Sequence, residues 1–281
     1  MLQFTVDEAR CTKCGLCVKD CPAEIIEREG KAVPHIKAGQ EESCLQCQHC
    51  LAICPGGAIS ILGRHPHDSL ELSPEVLPTF EQMTRLLRGR RSVRQYRDEN
   101  VDPALIESLL ATVANAPTGV NQRELTFTVI DNKADMQRLR EKAYRGLTAA
   151  TAAHRIPAHF DFLQGAAEFF TGGPDFIFRG APHLLVVSAP PDAPCPKEDV
   201  SLALAYFELL AQSAGLGTVW CGLFKMTLET LPELKPLLDL PADHHYYPML
   251  FGRPAIRYAR TVQRDDAATV RRVALPAADR A

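Results

Sequence analysis

The chain has 281 residues, 46% of them hydrophobic and 23% charged, with a net charge of −3. That length suggests two domains and that balance a soluble globular protein, while a near-neutral charge excludes nucleic acid or an anionic membrane surface as an electrostatic partner. No apolar run approaches the roughly 18 residues a bilayer crossing needs, and residues 1–8 carry neither a Sec signal nor a twin arginine, so no membrane partner and a cytoplasmic location are expected.

Eight of the ten cysteines fall in two runs, Cys11-Thr-Lys-Cys14-Gly-Leu-Cys17-Val-Lys-Asp-Cys21-Pro22 and Cys44-Leu-Gln-Cys47-Gln-His-Cys50-Leu-Ala-Ile-Cys54-Pro55. Each is a complete C-x2-C-x2-C-x3-C-P run, the spacing by which ferredoxin-type proteins bind a [4Fe-4S] cluster. Three closely spaced thiolates wrap one face of the cubane, and the fourth reaches the other cluster. Crossed ligation follows: Cys11, Cys14, Cys17 and Cys54 for one cluster, Cys44, Cys47, Cys50 and Cys21 for the other. Two zinc sites or a disulfide framework are the alternatives. A short apolar stretch follows each run, Ile25-Ile26 and Ala58-Ile59-Ser60-Ile61, so residues 1–62 read as an internally repeated unit whose clusters supply much of its stability.

Residues 63–79, with Pro66, Pro74 and Pro78, read as an interdomain linker or as a loop within one domain. From Phe80 to the end (80–281) helices and strands alternate. Asp102 and Pro103 form an N-cap and first helical position, and apolar spacing then runs helically to Ala114. Leu125–Ile130 reads as a strand, Lys133–Arg145 as a helix and Ala181–Ser188 as a buried strand. Asp199–Ala214 is an apolar helix ended by Gly215. Thr218–Phe224 and Tyr246–Phe251 are further strand candidates, and residues 147–180 resist assignment. The order implies an α+β domain with a central sheet.

Arg90-Arg91-Ser92-Val93-Arg94 places three guanidinium groups and a hydroxyl within five residues. Guanidinium forks suit a phosphate, although a basic cluster is commonly plain solvated surface. Ala116-Pro-Thr-Gly-Val-Asn121 follows a helix with a turn and a polar amide. Gly215-Leu-Gly217-Thr-Val-Trp-Cys-Gly222 joins helix to strand through glycines that let backbone approach a flat ligand.

RRSVR, APTGVN, RGAP, GLGTVWCG and FGRP occur in this order between Phe80 and Arg264, and in this the chain resembles the nitroreductase family of FMN-dependent oxidoreductases. With the cysteine runs, the whole resembles ferredoxin–nitroreductase fusions. The resemblance implies a homodimer with FMN at the subunit interface. Arg90, Arg91, Ser92 and Arg94 would hold phosphate and ribityl oxygens, and Asn121 would contact the flavin. Gly217, Gly222 and Leu223 would line the isoalloxazine, with Arg260 or Arg264 near the phosphate. Arg123 departs from the family's usual glutamine; it would either stabilise anionic flavin or pair with Glu124.

Gly215-x-Gly217 lacks the third glycine of a dinucleotide fingerprint, so no Rossmann site is encoded. The expected activity is an oxidoreductase in which an external ferredoxin or NAD(P)H loads the clusters. These relay electrons to FMN for reduction of a nitroaromatic- or quinone-like acceptor. The alternatives are an electron-transfer subunit with FMN as a relay, or another reaction of the superfamily such as reductive dehalogenation. No protein general acid stands out by spacing.

Overall fold

The computed structural model describes residues 2–165, 175–264 and 268–275. The unassigned stretch 147–180 is helical to Ala152, has a 3-10 segment at Ala158–Leu163 and lies partly, at 166–174, outside the described residues.

The N-terminal unit is a pseudo-symmetric pair. Strand β1 (Thr5–Val6) pairs antiparallel with β4 (Ile59–Ser60), and β2 (Ile26–Glu27) with β3 (His35–Ile36). Each cysteine run forms a loop and then a short helix, α1 (Leu16–Asp20) and α2 (His49–Ala52). The repeat extends to the backbone: left-handed Lys13, Gly15 and Glu24 recur at the equivalent Gln46, Gln48 and Gly57. The expected apolar stretches supply Ile25, Ile26, Ile59 and Ile61 to a small core that also holds Cys17 and Cys50. So small a core leaves much of the stabilisation to whatever the cysteines bind.

The second unit starts at α3 (Phe80–Gly89), where Thr79 and Gln82 form a reciprocal capping box. Next come α4 (Pro103–Val113), β5 (Thr126–Ile130), α5 (Lys133–Ala152) and β6 (His183–Ala189). The chain continues through α6 (Pro196–Ser213), β7 (Gly217–Trp220), α7 (Gly222–Thr230) and β8 (His245–Gly252). Asp102 caps α4 by accepting from the Ala104 N–H at 3.0 Å, as the Asp-Pro pair implies. Gly215, at φ +76°, ends α6 in the left-handed conformation that glycine tolerates.

The strands form one antiparallel sheet in the order β5-β6-β8-β7. Every residue of β6 is buried, because both faces of the sheet are covered. Leu184 and Val186 pack on Leu139, Tyr144 and Leu147 of α5 and on Phe224 and Leu228 of α7. Leu185 and Val187 pack on the opposite side, against Ile106 and Leu109 of α4 and Leu204 and Phe207 of α6. The fold is α+β, a sheet between two helix layers.

Two expectations need correction. The 133–145 helix runs on to Ala152, with buried Leu147 and Ala150 continuing its 3–4 spacing. The strand expected over 218–224 stops at Trp220; Gly222 opens α7, whose buried Phe224, Thr227 and Leu228 are helically spaced. A short apolar run does not distinguish strand from helix by periodicity.

Candidate functional site

Cys14 and Cys54 gather about Cys17, and Cys21, Cys44 and Cys47 about Cys50, so the last cysteine of each run joins the other run. Burial raises the Cys17 pKa, and the nearby Cys54 and Cys14 act in the same direction. Burial pushes Cys50 up to about 12, with Cys47, Cys44 and Cys21 around it adding to the effect. Cys21, Cys44, Cys47 and Cys50 also line one cavity, walled by Ile25, Ile26, Ile36 and Leu45. Backbone N–H groups point at sulfur: Gln46 donates to Cys44 Sγ at 3.4 Å and Ala58 to Cys54 Sγ at 3.2 Å. Cys14 is exposed, and its pKa is lowered chiefly by the Leu16 N–H. Such donors stabilise thiolates and tune a bound cluster. Among the described residues no three His, Cys, Asp or Glu are close enough to share one metal ion. A cubane presents one iron to each thiolate, so its ligands stand further apart than those of a single ion.

The basic stretch divides in an unexpected way. Val93 N–H donates to Thr218 O at 2.8 Å, laying residues 92–93 beside β7. Arg90 turns inward: its Nη1 donates to Glu208 Oε1 at 3.0 Å. Glu208, 6% exposed on α6, also accepts from Thr218 Oγ1 (3.3 Å) and Trp220 Nε1 (3.2 Å). Arg90 is thereby a tie between the basic stretch, α6 and β7. Arg91 turns the other way; its Nη2 donates to Arg88 O at 2.6 Å, while its buried Nε has no partner.

Arg91, Gly217 and Thr218 line a cleft of about 220 Å³, which Pro254, Arg257 and Tyr258 also line. A second cleft, of about 340 Å³, holds Arg94, Arg179, Trp220, Gly222, Leu223 and Tyr247. The second volume falls within the roughly 300–1,000 Å³ range of small-molecule sites, and the first is smaller. A buried guanidinium N–H without a partner, in a cleft with a second arginine, is chemically suited to a phosphate.

Three expectations meet different surroundings, and a fourth residue, Gly217, has a packing reason beside its place in the cleft. Arg260 and Arg264 are exposed and line neither cleft; Arg257, closer to the end of β8, is the C-terminal cation that does. Gly217 is a glycine because of packing: a Cβ there would lie 2.6 Å from Val93 Cγ2. Asn121 directs its amide to the N-terminal unit, Nδ2 donating to Leu45 O at 2.8 Å. Glu124 accepts from Gln122 Nε2 at 3.0 Å, and Arg123 instead lines an open cleft beside Thr118 and Phe127.

Sequence reasoning passes over Glu208 and Arg257, and names Arg179 only within the RGAP motif. A glutamate within the strongly apolar 199–214 helix was the available signal for the first, since a buried carboxylate needs a cation. Cys221 is a core thiol, 4% exposed, with burial raising its pKa to about 12.

A helix-sheathed sheet with cationic clefts at one edge, joined to two four-cysteine sets, defines a redox protein that binds a phosphorylated cofactor. Comparison with known proteins agrees. Residues 87–253 match the model of the nitroreductase family, and residues 10–59 match a 4Fe-4S dicluster domain. An FMN reductase [NAD(P)H] of Bacillus subtilis is 26% identical over 186 residues, 64% of this chain and 69% of that protein. An iodotyrosine deiodinase of Thermotoga neapolitana is 27% identical over 163 residues, 56% of this chain and 80% of that one. In fold, a Bacteroides fragilis nitroreductase solved with bound FMN aligns at a TM-score of 0.54 and 21% identity. That alignment covers 68% of this chain and 99% of the other. The chain belongs to the nitroreductase family, carries a ferredoxin-type 4Fe-4S dicluster domain at its N-terminus, and is an oxidoreductase.

Proposed function

We propose that this chain is an FMN-dependent oxidoreductase whose own two [4Fe-4S] clusters relay electrons to the flavin for reduction of a nitroaromatic- or quinone-like acceptor. The observation that carries the reading is the pairing, in one chain, of crossed four-cysteine sets with a cleft holding an unpartnered guanidinium N–H. Cys11, Cys14, Cys17 and Cys54 ligate one cluster, and Cys21, Cys44, Cys47 and Cys50 the other. Bound there, the clusters would supply one-electron transfer and FMN the hydride or paired-electron chemistry of the acceptor's reduction.

Arg91 and Arg257 bind the flavin phosphate. Ser92 lies in the same stretch, and Arg94, Arg179, Gly222 and Leu223 border the neighbouring cleft, where the isoalloxazine and acceptor meet. Residues 1–62 form the cluster domain, 63–79 the linker and 80–281 the flavin domain. A homodimer is supported by apolar side chains left without cover: Leu70, Leu72 and Phe80 are 91%, 77% and 89% exposed. The donor is a reduced ferredoxin or NAD(P)H. The deiodinase relative favours one further reading, reductive dehalogenation at the same flavin.

The test is an anaerobic titration of reconstituted protein with reduced ferredoxin or NAD(P)H, following iron–sulfur and flavin absorbance. Clusters bleaching before the flavin is the expected order. Flavin reduction by NAD(P)H with the clusters still oxidised refutes the relay, and absence of bound flavin refutes the reading of the second domain.

A further inference from the structure

The second cysteine set and the flavin domain meet at one turn. Residues 118–123 contain three left-handed residues, Val120, Asn121 and Arg123, at φ +46°, +57° and +55°. A β-branched residue such as Val120 adopts this conformation only when its surroundings impose it. They do so here. Gly119 N–H donates to Oδ1 of buried Asp199 at 3.0 Å, and Arg123 N–H to Thr118 Oγ1 at 3.0 Å. Gly119 also sits tightly on the start of α6, where a Cβ would come within 3.0 Å of Cys195 Sγ and Pro194 Cβ. The strained turn aims Asn121 outward, and its Nδ2 donates to Leu45 O at 2.8 Å. Leu45 itself walls the cavity lined by Cys21, Cys44, Cys47 and Cys50. The first set differs at the equivalent cysteine: Cys14 is exposed where Cys47 is half-buried.

We propose that Asn121 is a positioning residue that docks the second cluster against the flavin domain, making that cluster the exit of the relay and the exposed Cys14 side its entrance. The proposal rests on the function inferred above. Each transfer takes one electron from the reduced second cluster, which returns to its oxidised state, and passes it to the flavin. Two transfers, with protons from solvent, complete a two-electron reduction, and the external one-electron donor replaces the electrons. The turn's strain has a purpose in this scheme: a stiff arm holds the donor amide, so the hydrogen bond fixes where the two units meet.

The test compares wild type with Asn121→Asp and Asn121→Gly in the reconstituted full chain. Both substitutions tolerate left-handed backbone, and both remove the donor. The first readout is backbone hydrogen exchange at residues 44–48 against 11–17. The second is the single-turnover rate at which photoreduced clusters reduce the flavin, with nicotinamide absent. Expected results are faster exchange at 44–48 alone and a lower rate, its fall bounded by the roughly five- to tenfold drop in the docking equilibrium constant from one lost hydrogen bond. Iron and flavin content should match wild type. Wild-type exchange and rate in both variants overturn the proposal, as does faster exchange at 11–17 instead. A chain that loads clusters but no flavin refutes the function while the exchange comparison still reports on docking; a chain that loads no clusters refutes both.

Discussion

Removing Arg90 separates two roles that its neighbourhood in the sequence suggests equally. Resemblance to flavin enzymes makes it a phosphate ligand; the structure buries it against Glu208. In Arg90→Ala the Glu208 side chain, 8% exposed, keeps only the Thr218 hydroxyl and the Trp220 indole as donors. Breaking a fully buried pair costs about 3–5 kcal/mol through the charge left behind. The Arg90 side chain is 28% exposed, so water reaches the pair and about 2–3 kcal/mol is the better expectation. For a domain of this size that corresponds to a fall in Tm of roughly 5–10 °C. The assay is unfolding followed by fluorescence of Trp220, the chain's one tryptophan, which reports on the flavin domain alone. A double-mutant cycle with Glu208→Ala should return a coupling of about 1–2 kcal/mol. Folded Arg90→Ala should still take up added FMN. A variant that melts with wild type yet fails to bind flavin would refute this reasoning and restore Arg90 to the phosphate.

Arg91→Ala and Arg257→Ala should behave in the converse manner. Tm of the flavin-free protein should stay within about 2 °C of wild type, whereas FMN affinity measured by fluorescence quenching should fall by roughly 10- to 100-fold for each, the loss of a charge-assisted contact. Gly217→Ala should destabilise by about 1–3 kcal/mol through overpacking on Val93, and Val93→Ala in the same chain should recover most of it, read as urea midpoints. Burial lowers the pKa of His183 below the ordinary 6.5, and its Nε2 accepts from the Val101 N–H at 2.9 Å only while unprotonated. The unfolded chain takes that proton more readily, so the ring's contribution is present above pH 6.5 and is lost as pH falls toward the folded pKa. Between pH 7.5 and 5.5 His183→Gln should therefore lose less stability than wild type, and an equal loss would count against the assignment.

Much of this protein is local, and local features are legible in a chain read from end to end. Cysteine spacing specifies the first three thiolates of each run as neighbours, because they lie within seven residues of one another. Asp102-Pro103, the apolar run of β6 and Gly215 specify where elements begin and end, since capping and backbone handedness involve residues a few positions apart. The 218–224 stretch was misread because its apolar run suits either periodicity until α5 and β8 choose one.

Only the tertiary structure decided which of two adjacent arginines faces inward. Arg90 and Arg91 are chemically alike, and the choice belongs to Glu208, 118 residues away. The same holds for Arg257 over Arg260 and Arg264, selected by where the chain leaves β8, and for Asn121, whose partner Leu45 lies in the other unit. A side chain's chemistry is written at its own position, but its direction is determined by whichever distant charge or carbonyl the fold brings within about 3 Å.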